Sequence, residues 1–395
     1  MSGPSTRLAR LRAALTDPAR QDRTVLILLA LYWVVWTAYG TMAKAPQGLH
    51  PDMTEIVAWS RDLALGYLKH PPFAAWLAAG WFELMPMAEW SYYALAMLMP
   101  VAALWIAWRL MGDYLDAEKR VAGLALLTLI PFFNFHALKY NVNTVLLPLW
   151  AATALWFLRS VRTRDALYAA LAGAAAALSM YGKYWSVFLV AGLVAAAFWA
   201  PLLLPVLAAI AGKTEITSLW SMSAWTLLPV VLLSPSALNV RPIDTGRLLA
   251  LAIALPLVML VASPAIAWFT RDKAHPAEAQ ARLLAQEVDR DWKNLTPAPL
   301  RFVGGEASLV DGVVTWSADR PRSLTSTPAP PAAELARDGE AIVCFADNSG
   351  CKSDAAARAK DRPGSRVVES TILRAFFRSL GKPQGYTITL IPPAR

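Results

Sequence analysis

Charged residues, cysteine and histidine are all scarce in this chain of 395 residues. Only 16% of the residues are charged, whereas soluble domains carry about 25%. An ordinary soluble protein is excluded because the apolar residues, 56% of the chain, gather in runs of about twenty, the length that crosses a bilayer. The composition therefore predicts a polytopic helical membrane protein.

Cofactor motifs are also missing. No G-x-G-x-x-G sequence opens a helix, and no Walker or H-E-x-x-H sequence occurs. Cys344 and Cys351, the only 2 cysteines, lack a nearby histidine and make a poor zinc site; their spacing suits free thiols and a disulfide equally. The net charge is +9, but lysine and arginine follow the ends of apolar runs, which is typical of membrane topology. We therefore expect no nucleic-acid partner and no cofactor.

The apolar runs predict about eight spans after a basic, cytoplasmic N-terminus at 1–23. The predicted spans are 24–43, 91–111, 121–135, 142–158, 166–180, 185–211, 218–238 and 248–268. The positive-inside rule puts the arginine-rich loops of the first five spans in the cytoplasm and the loop 44–90 outside. After Lys183 the rule gives no consistent topology. The 27-residue run 185–211 is long for one span and short for two, so the orientations of the first and the last spans disagree by one membrane crossing.

The loop 44–90 and the tail differ from the spans in composition. Residues 52–68 contain no proline and predict a helix on the membrane surface. The 16-residue stretch PPFAAWLAAGWFELMP is short for a span and predicts an interfacial or re-entrant helix. The tail, 270–395, predicts a small soluble α/β domain, with a helix at 277–292 and strands at LRFVGG, GVVTWSA, EAIVCFA and YTITLIP.

Two carboxylates begin the outer loop. Asp52 and Glu55 are three residues apart and share a helix face, where one could act as a general base. The same spacing suits a capping box with Asp52 as the N-cap, and from spacing alone capping is favoured.

Further along, GYLKHPPFAAW places Lys69 and His70 before two prolines. They form either a turn with an interfacial lysine or a cationic clamp on a lipid phosphate.

Three polar loops are expected on the outer side. Lysines there run against the positive-inside rule, so we expect an anionic partner, with ordinary headgroup contact as the alternative. Asp52, Glu55 and the nearby histidines could bind a divalent metal, but no ligand spacing demands one, and no metal site is predicted. The candidate substrate-binding residues are Arg61, Tyr67, Lys69, His70, His136, Lys139, Asn141, Asn143 and Lys183.

The order of these segments resembles a known family. DMTEIVAWSRDLALGYLKHPPFAAWL is followed by FHALKYNVNTVLLPLW and then by LSMYGKYWSVFL. This is similar to the polyprenyl-phosphate-sugar-dependent glycosyltransferases of the GT-C superfamily, and in particular to the bacterial branch like protein O-mannosyltransferases and lipid A aminoarabinose transferase. The aspartate and the W-S-R, G-Y and H-P-P residues keep the spacing of that branch, and the resemblance covers most of the chain.

The resemblance implies an all-α polytopic membrane protein of GT-C type in the bacterial inner membrane, with its active site facing the periplasm. A polyprenyl-phosphate sugar would donate, with inversion, to a hydroxyl of an envelope lipid, glycan or protein. Asp52 matches the loop aspartate taken as general base, and Lys69, His70 and Lys183 would stabilise the leaving phosphate. The resemblance implies three parts of the chain. They are a cytoplasmic basic N-terminus at 1–23, a transmembrane glycosyltransferase domain at 24–269 with the catalytic loop 44–90, and a small periplasmic domain at 270–395.

Two departures from the family qualify this assignment. Met53 follows Asp52 where many relatives have an acid, and Glu55 is the nearest carboxylate. Relatives are longer in the middle, which predicts an internal deletion of about three spans near Ala197, where the topology rule also fails. Two other functions therefore stay open. One is a non-catalytic remnant; the other is a lipid-binding or transport membrane protein, which the concentration of charge in loops disfavours.

Overall fold

A computed structural model describes residues 4–195, 218–235, 238–376 and 379–394. The chain forms two compact units. The helical unit consists of Met1–Thr41 and Trp90–Ser263, and the mixed unit of Met42–Glu89 and Pro264–Arg395. The mixed unit thus joins the first outer loop to the tail, whereas the sequence analysis grouped the loop 44–90 with the spans.

The helices begin and end as follows. In chain order they are α1 (Pro4–Thr16), α2 (Gln21–Lys44), α3 (Pro51–Ser60), α4 (Phe73–Leu84), α5 (Glu89–Met111), α6 (Ala117–Leu129), α7 (Leu146–Thr163), α8 (Ala166–Gly182), α9 (Ser186–Ala195), α10 (Leu228–Leu233), α11 (Pro242–Thr270), α12 (Pro276–Ala279), α13 (Ala281–Leu295), α14 (Ala307–Trp316), α15 (Ala332–Asp338) and α16 (Ser349–Ala359). Short 3₁₀ segments occupy Pro131–Phe133 and Ser218–Leu227.

Among the described residues, 3 helices are long and apolar enough to cross a membrane, namely α2, α5 and α11. They fall on the predicted spans 24–43, 91–111 and 248–268. The predicted span 121–135 is too long, because α6 ends at Leu129 and Ile130 takes the extended backbone that precedes a proline. Most of the predicted span 185–211 and the predicted deletion near Ala197 lie outside the described residues, so the count of about eight spans stays a prediction.

Basic side chains gather at one end of the helical unit. Asp22, in the first turn of α2, accepts hydrogen bonds from Trp108 Nε1 at 2.8 Å and from Arg109 Nη1 at 3.0 Å. The guanidinium of Arg120 lies 3.6 Å over the ring of Trp108. Arg109 lies in the last turn of α5 and Arg120 in the first turn of α6, in the part of the chain that the positive-inside rule assigns to the cytoplasm; the orientation itself stays a prediction.

The mixed unit contains a 5-stranded sheet in the order β2-β1-β3-β7-β4. Its strands are β1 (Phe302–Gly305), β2 (Arg322–Ser323), β3 (Glu340–Phe345), β4 (Arg366–Ile372) and β7 (Gln384–Ile391), while β5 (Ala375–Phe376) and β6 (Ser379–Leu380) pair separately. β1 runs parallel to β2 and β3, and β7 runs antiparallel to β3 and β4. The small α/β tail is confirmed, with LRFVGG, EAIVCFA and YTITLIP contributing β1, β3 and β7.

One predicted strand is wrong. GVVTWSA lies largely in α14, where Leu309, Val310, Val313 and Val314 are all buried. This spacing places the four side chains on one helical face, so burial on that face outweighs the strand preference of valine and threonine. β4 carries no strand signal in the sequence, because its residues are mostly exposed or half-buried and lack a clear apolar alternation.

The helix α3 belongs to the core of the tail. Ala58 is fully buried in the same apolar cluster as Val310, Val313 and Trp292. Trp59 Nε1 donates to the carbonyl oxygen of Ser326 at 3.0 Å. The predicted surface helix 52–68 is therefore corrected: α3 ends at Ser60 and buries one face against α14. Because the first loop and the tail share a core, they lie on the same side of any membrane that α2 and α5 cross.

A labelling experiment tests this shared side. Gly66 has open space around its α-carbon, and Asp354 is exposed on α16. The native cysteines are bonded to each other, so new thiols at these positions would react alone. In intact cells, G66C and D354C should both react with a membrane-impermeant maleimide, or both be protected from it. Labelling of only one of the two variants would show that the loop and the tail lie on opposite sides.

Gly305 sets the turn from β1 into α14. Its φ is +115°, and an added Cβ would lie 2.2 Å from the carbonyl oxygen of Val343. We expect G305A to destabilise the full chain by roughly 2 kcal/mol or more, measured by thermal unfolding in detergent. G350A is the matched control, because a Cβ there would meet only Asn348 Oδ1 at 3.6 Å. Equal melting temperatures for the two variants would contradict this account.

Candidate active site

The N-terminus of α3 is capped by histidine and not by Asp52. His50 Nδ1 accepts a hydrogen bond from the backbone nitrogen of Asp52 at 3.1 Å, and Pro51 occupies the first helical position. Proline suits that position because its missing N–H would have no helical partner. The predicted cap is therefore wrong. The carboxylate of Asp52 stands in the first turn, 40% exposed, near the positive end of the helix dipole.

Asp52 lines a cavity of about 360 Å³ within the mixed unit. One wall comes from α3 and the segment that follows it, and the other comes from α14 and the segment after β2. The lining residues are Pro51, Asp52, Glu55, Trp59, Leu68, Lys69, Ala307, Ser308, Asp311, Thr325 and Ser326. The volume is within the range of about 300–1,000 Å³ usual for small-molecule sites. The cavity thus unites the predicted catalytic pair with residues of the tail.

Lys69 is paired with the second predicted carboxylate. Its Nζ lies 2.5 Å from Glu55 Oε1, and Glu55 is only 19% exposed. This hydrogen bond is the first cause of a raised pKa for Lys69, and the charges of Glu55, Asp311 and Asp52 add to it. The ammonium therefore faces three carboxyl groups. This local charge is unfavourable for a phosphate, and the predicted role of Lys69 as a phosphate clamp stays a prediction.

Asp311 is a site residue that the sequence analysis missed. It lies on α14, 9% exposed, and accepts hydrogen bonds from Ser326 Oγ at 2.7 and 2.8 Å and from Ser323 Oγ at 3.2 Å. Burial raises its pKa to about 6, with a smaller contribution from the charge of Glu55. The signal in the sequence was a single acid inside the apolar stretch ASLVDGVVTW.

Three further predicted residues surround α3 without lining the cavity. The Tyr67 hydroxyl donates to the carbonyl oxygens of Trp59 and Asp62, at 2.8 and 2.9 Å, and its ring stacks on Trp59. The ring of His70 meets the edge of Trp59 at 6.1 Å. Burial lowers the pKa of Arg61 to about 10, helped by the charge of Arg320. The contacts of Tyr67 and His70 support the position of Trp59.

The remaining candidates belong to the helical unit. Lys183 Nζ donates to Asn143 Oδ1 at 2.8 Å, and both side chains are buried. Asn141 Oδ1 accepts from the backbone nitrogens of Asn143 and Thr144, which makes it a turn residue. His136 packs on Phe132, and Lys139 follows it in the same loop. The structure thus brings Lys183 and Asn143 together, and their predicted role in substrate binding stays a prediction.

The structure also bears on metal binding and on the pairing of the two cysteines. Within the described parts of the chain, no group of three or more His, Cys, Asp and Glu side chains could hold a metal ion. Cys344 on β3 and Cys351 on α16 form a disulfide, which selects one of the two alternatives left open by their spacing.

Comparison with known proteins gives one family match. Residues 69–212 match the family model described as dolichyl-phosphate-mannose-protein mannosyltransferase, which is less than half of the chain. The match confirms the GT-C resemblance over the stretch that holds Lys69, His70 and Lys183. Asp52 and Glu55 precede the matched residues. No curated protein matches the chain.

Two crystal structures are similar to the chain. ArnT from Cupriavidus metallidurans bound to undecaprenyl phosphate is 12% identical with a TM-score of 0.49, and ArnT in the apo state is 11% identical with a TM-score of 0.46. Each alignment covers 92% of this chain and 97% of the ArnT chain.

The raised pKa of Asp311 predicts a pH-dependent stability. Unfolded Asp311 loses its proton near 3.8 and folded Asp311 near 6, so protonation stabilises the fold at low pH, and this stabilisation is lost as pH rises through about 6. From about pH 4 to about pH 7, wild type should lose on the order of 2 kcal/mol relative to D311N, whose amide does not ionise. Thermal unfolding of both full-length proteins measures this difference. Parallel pH profiles would contradict the burial of this carboxyl group.

Proposed function

We propose that this protein is a membrane glycosyltransferase of GT-C type that transfers a sugar from a polyprenyl-phosphate donor to a hydroxyl group. The observation that carries the proposal is the cavity in which Asp52 lies beside Glu55, Lys69 and Asp311. The family match over residues 69–212 supports the donor class, because the family is described by a lipid-phosphate sugar. The acceptor is an envelope lipid, glycan or protein.

Asp52 is the proposed general base. The acceptor hydroxyl attacks the anomeric carbon from the face opposite the lipid phosphate, and its proton passes to the Asp52 carboxylate. The bond between the anomeric carbon and the phosphate oxygen breaks, and the polyprenyl phosphate leaves with the electron pair, so the configuration inverts. Asp52 suits this role better than Glu55, because Asp52 is 40% exposed while Glu55 is 19% exposed and ion-paired to Lys69.

The leaving phosphate needs a cation elsewhere. Lys69 is surrounded by Glu55, Asp52 and Asp311, which would repel a phosphate. Lys183 is bonded to the neutral amide of Asn143 and lies inside the residues that match the family. The family resemblance implies a phosphate-stabilising role for Lys183, and that role remains a proposal for the helical unit by itself.

The reaction is proposed to take place in the periplasm. The Cys344–Cys351 disulfide supports an oxidising compartment for the tail, because disulfides are rare in the reducing cytoplasm. The first loop shares the core of the tail and would lie in the same compartment. The convergence of Asp22, Arg109 and Arg120 supports the cytoplasm for the opposite end of α2 and α5.

The role of Asp52 is tested by replacing it with its amide. D52N cannot accept the proton, so transfer of labelled mannose from undecaprenyl-phosphate mannose to an envelope extract should fall by roughly 100-fold or more. The measurement uses purified full-length protein in liposomes. E83Q is the matched control, since Glu83 lies in the same loop but its side chain is 76% exposed and outside the cavity lining.

The outcomes separate the alternatives. Equal transfer by wild type and D52N would remove Asp52 from the mechanism. Absence of transfer from a folded wild type would favour a non-catalytic remnant. Loss of transfer in E83Q as well as D52N would indicate that any change of charge in this loop disables the protein.

A further inference from the structure

Part of the cavity lining is built by the tail. α14 carries Asp311, and the segment after β2 carries Thr325 and Ser326, all of which line the cavity. Ser326 also accepts the hydrogen bond from Trp59 Nε1 through its carbonyl oxygen. The same serine thus bonds both walls, to α3 through its backbone and to Asp311 through its hydroxyl. This arrangement holds the Asp311 carboxyl group in a defined position relative to α3.

The Asp311 carboxyl group retains capacity to bind a ligand. A serine hydroxyl has one hydrogen to donate, so the Ser326 Oγ contacts at 2.7 and 2.8 Å share that hydrogen between the two carboxylate oxygens. Ser323 Oγ adds one donor at 3.2 Å. An ionised carboxylate has about four lone-pair sites, so the two serine hydrogens leave acceptor sites for a ligand in the cavity.

The charge of the cavity indicates what that ligand offers. Three carboxyl groups, those of Asp52, Glu55 and Asp311, face one ammonium, that of Lys69. Such a lining repels a phosphate and attracts groups that donate hydrogen bonds. A neutral sugar ring presents several hydroxyl donors and carries no charge. The cavity therefore fits the glycosyl part of the donor better than its phosphate.

We propose that Asp311 binds a hydroxyl group of the transferred sugar, so that the tail supplies a specificity-determining residue to the active site. The assignment rests on the proposed function, because it takes the ligand to be the sugar of a polyprenyl-phosphate donor. Asp311 accepts a hydroxyl hydrogen inside the cavity that Asp52 also lines, and the phosphate lies outside the cavity. Sugars that lack or invert that hydroxyl would bind less well.

Lipid-binding measurements on the full-length protein in nanodiscs test this assignment. The probes are undecaprenyl phosphate, undecaprenyl-phosphate mannose and undecaprenyl-phosphate glucose, and the readout is the ratio of each sugar-bearing Kd to the sugar-free Kd. Wild type should prefer at least one sugar-bearing lipid. D311N should weaken that preference about tenfold, because a charge-assisted hydrogen bond becomes a neutral one, while its affinity for undecaprenyl phosphate stays unchanged.

The matched control is D289N. Asp289 is also an aspartate of the mixed unit bonded to a serine, since Ser317 Oγ donates to its Oδ1 at 2.6 Å, but it lies outside the cavity lining. D289N should keep the full preference. A merely structural role of Asp311 would reduce the affinity for all three lipids alike, and that result would overturn the assignment.

Two other results would also decide against Asp311. A wild type that binds all three lipids equally, or a D311N protein that keeps the wild-type preference, would show that the cavity does not select the sugar through this residue. A different result would refute the proposed function without refuting the binding assignment. A wild type that prefers a sugar-bearing lipid, loses the preference in D311N and transfers no sugar would retain the binding assignment and refute the transferase.

Discussion

The packing of α3 against α14 is the constraint on which the mixed unit depends. Trp59 is buried at this contact, stacks on Tyr67 and donates to the carbonyl oxygen of Ser326. Asp62 and Arg322 form an ion pair of 2.7 Å beside it. Further ion pairs, such as Arg320 with Glu83, also join the first loop to the tail, but the α3–α14 contact contributes the buried apolar surface. With it, they share one core and one cavity.

The charges inside that cavity change the role that can be assigned to Lys69. Lys69 was expected to face a lipid phosphate, but its ammonium is bonded to Glu55 and attracted by Asp52 and Asp311. The Lys69–Glu55 pair contributes little to stability because the lysine side chain is 66% exposed, yet it neutralises Glu55 and leaves Asp52 as the more accessible carboxylate. This excess of carboxyl groups makes the cavity lining better suited to hydrogen-bond donors than to phosphate.

Local sequence signals predicted some elements and misassigned others for identifiable reasons. The apolar lengths of α2 and α5 were readable because a bilayer sets the length of a span. Asp52 was read as an N-cap because its spacing to Glu55 imitates a capping box, but Pro51 shifts the cap to His50. GVVTWSA was read as a strand because valine favours sheets, but its apolar residues face one side of a helix.

The sequence by itself determined the membrane class, the GT-C resemblance, the helix–strand character of the tail and the candidates Asp52, Glu55 and Lys69. The membrane class and the character of the tail follow from composition and run length, whereas the candidates take their roles from the short motifs that carry the resemblance; all of these are local properties of the chain. Only the tertiary structure decided that the tail belongs with the first loop, that Cys344 and Cys351 are bonded and that Asp311 lines the cavity. Asp52 and Asp311 are more than 250 residues apart in the chain, and no local pattern brings such residues together; the shared core of α3 and α14 does.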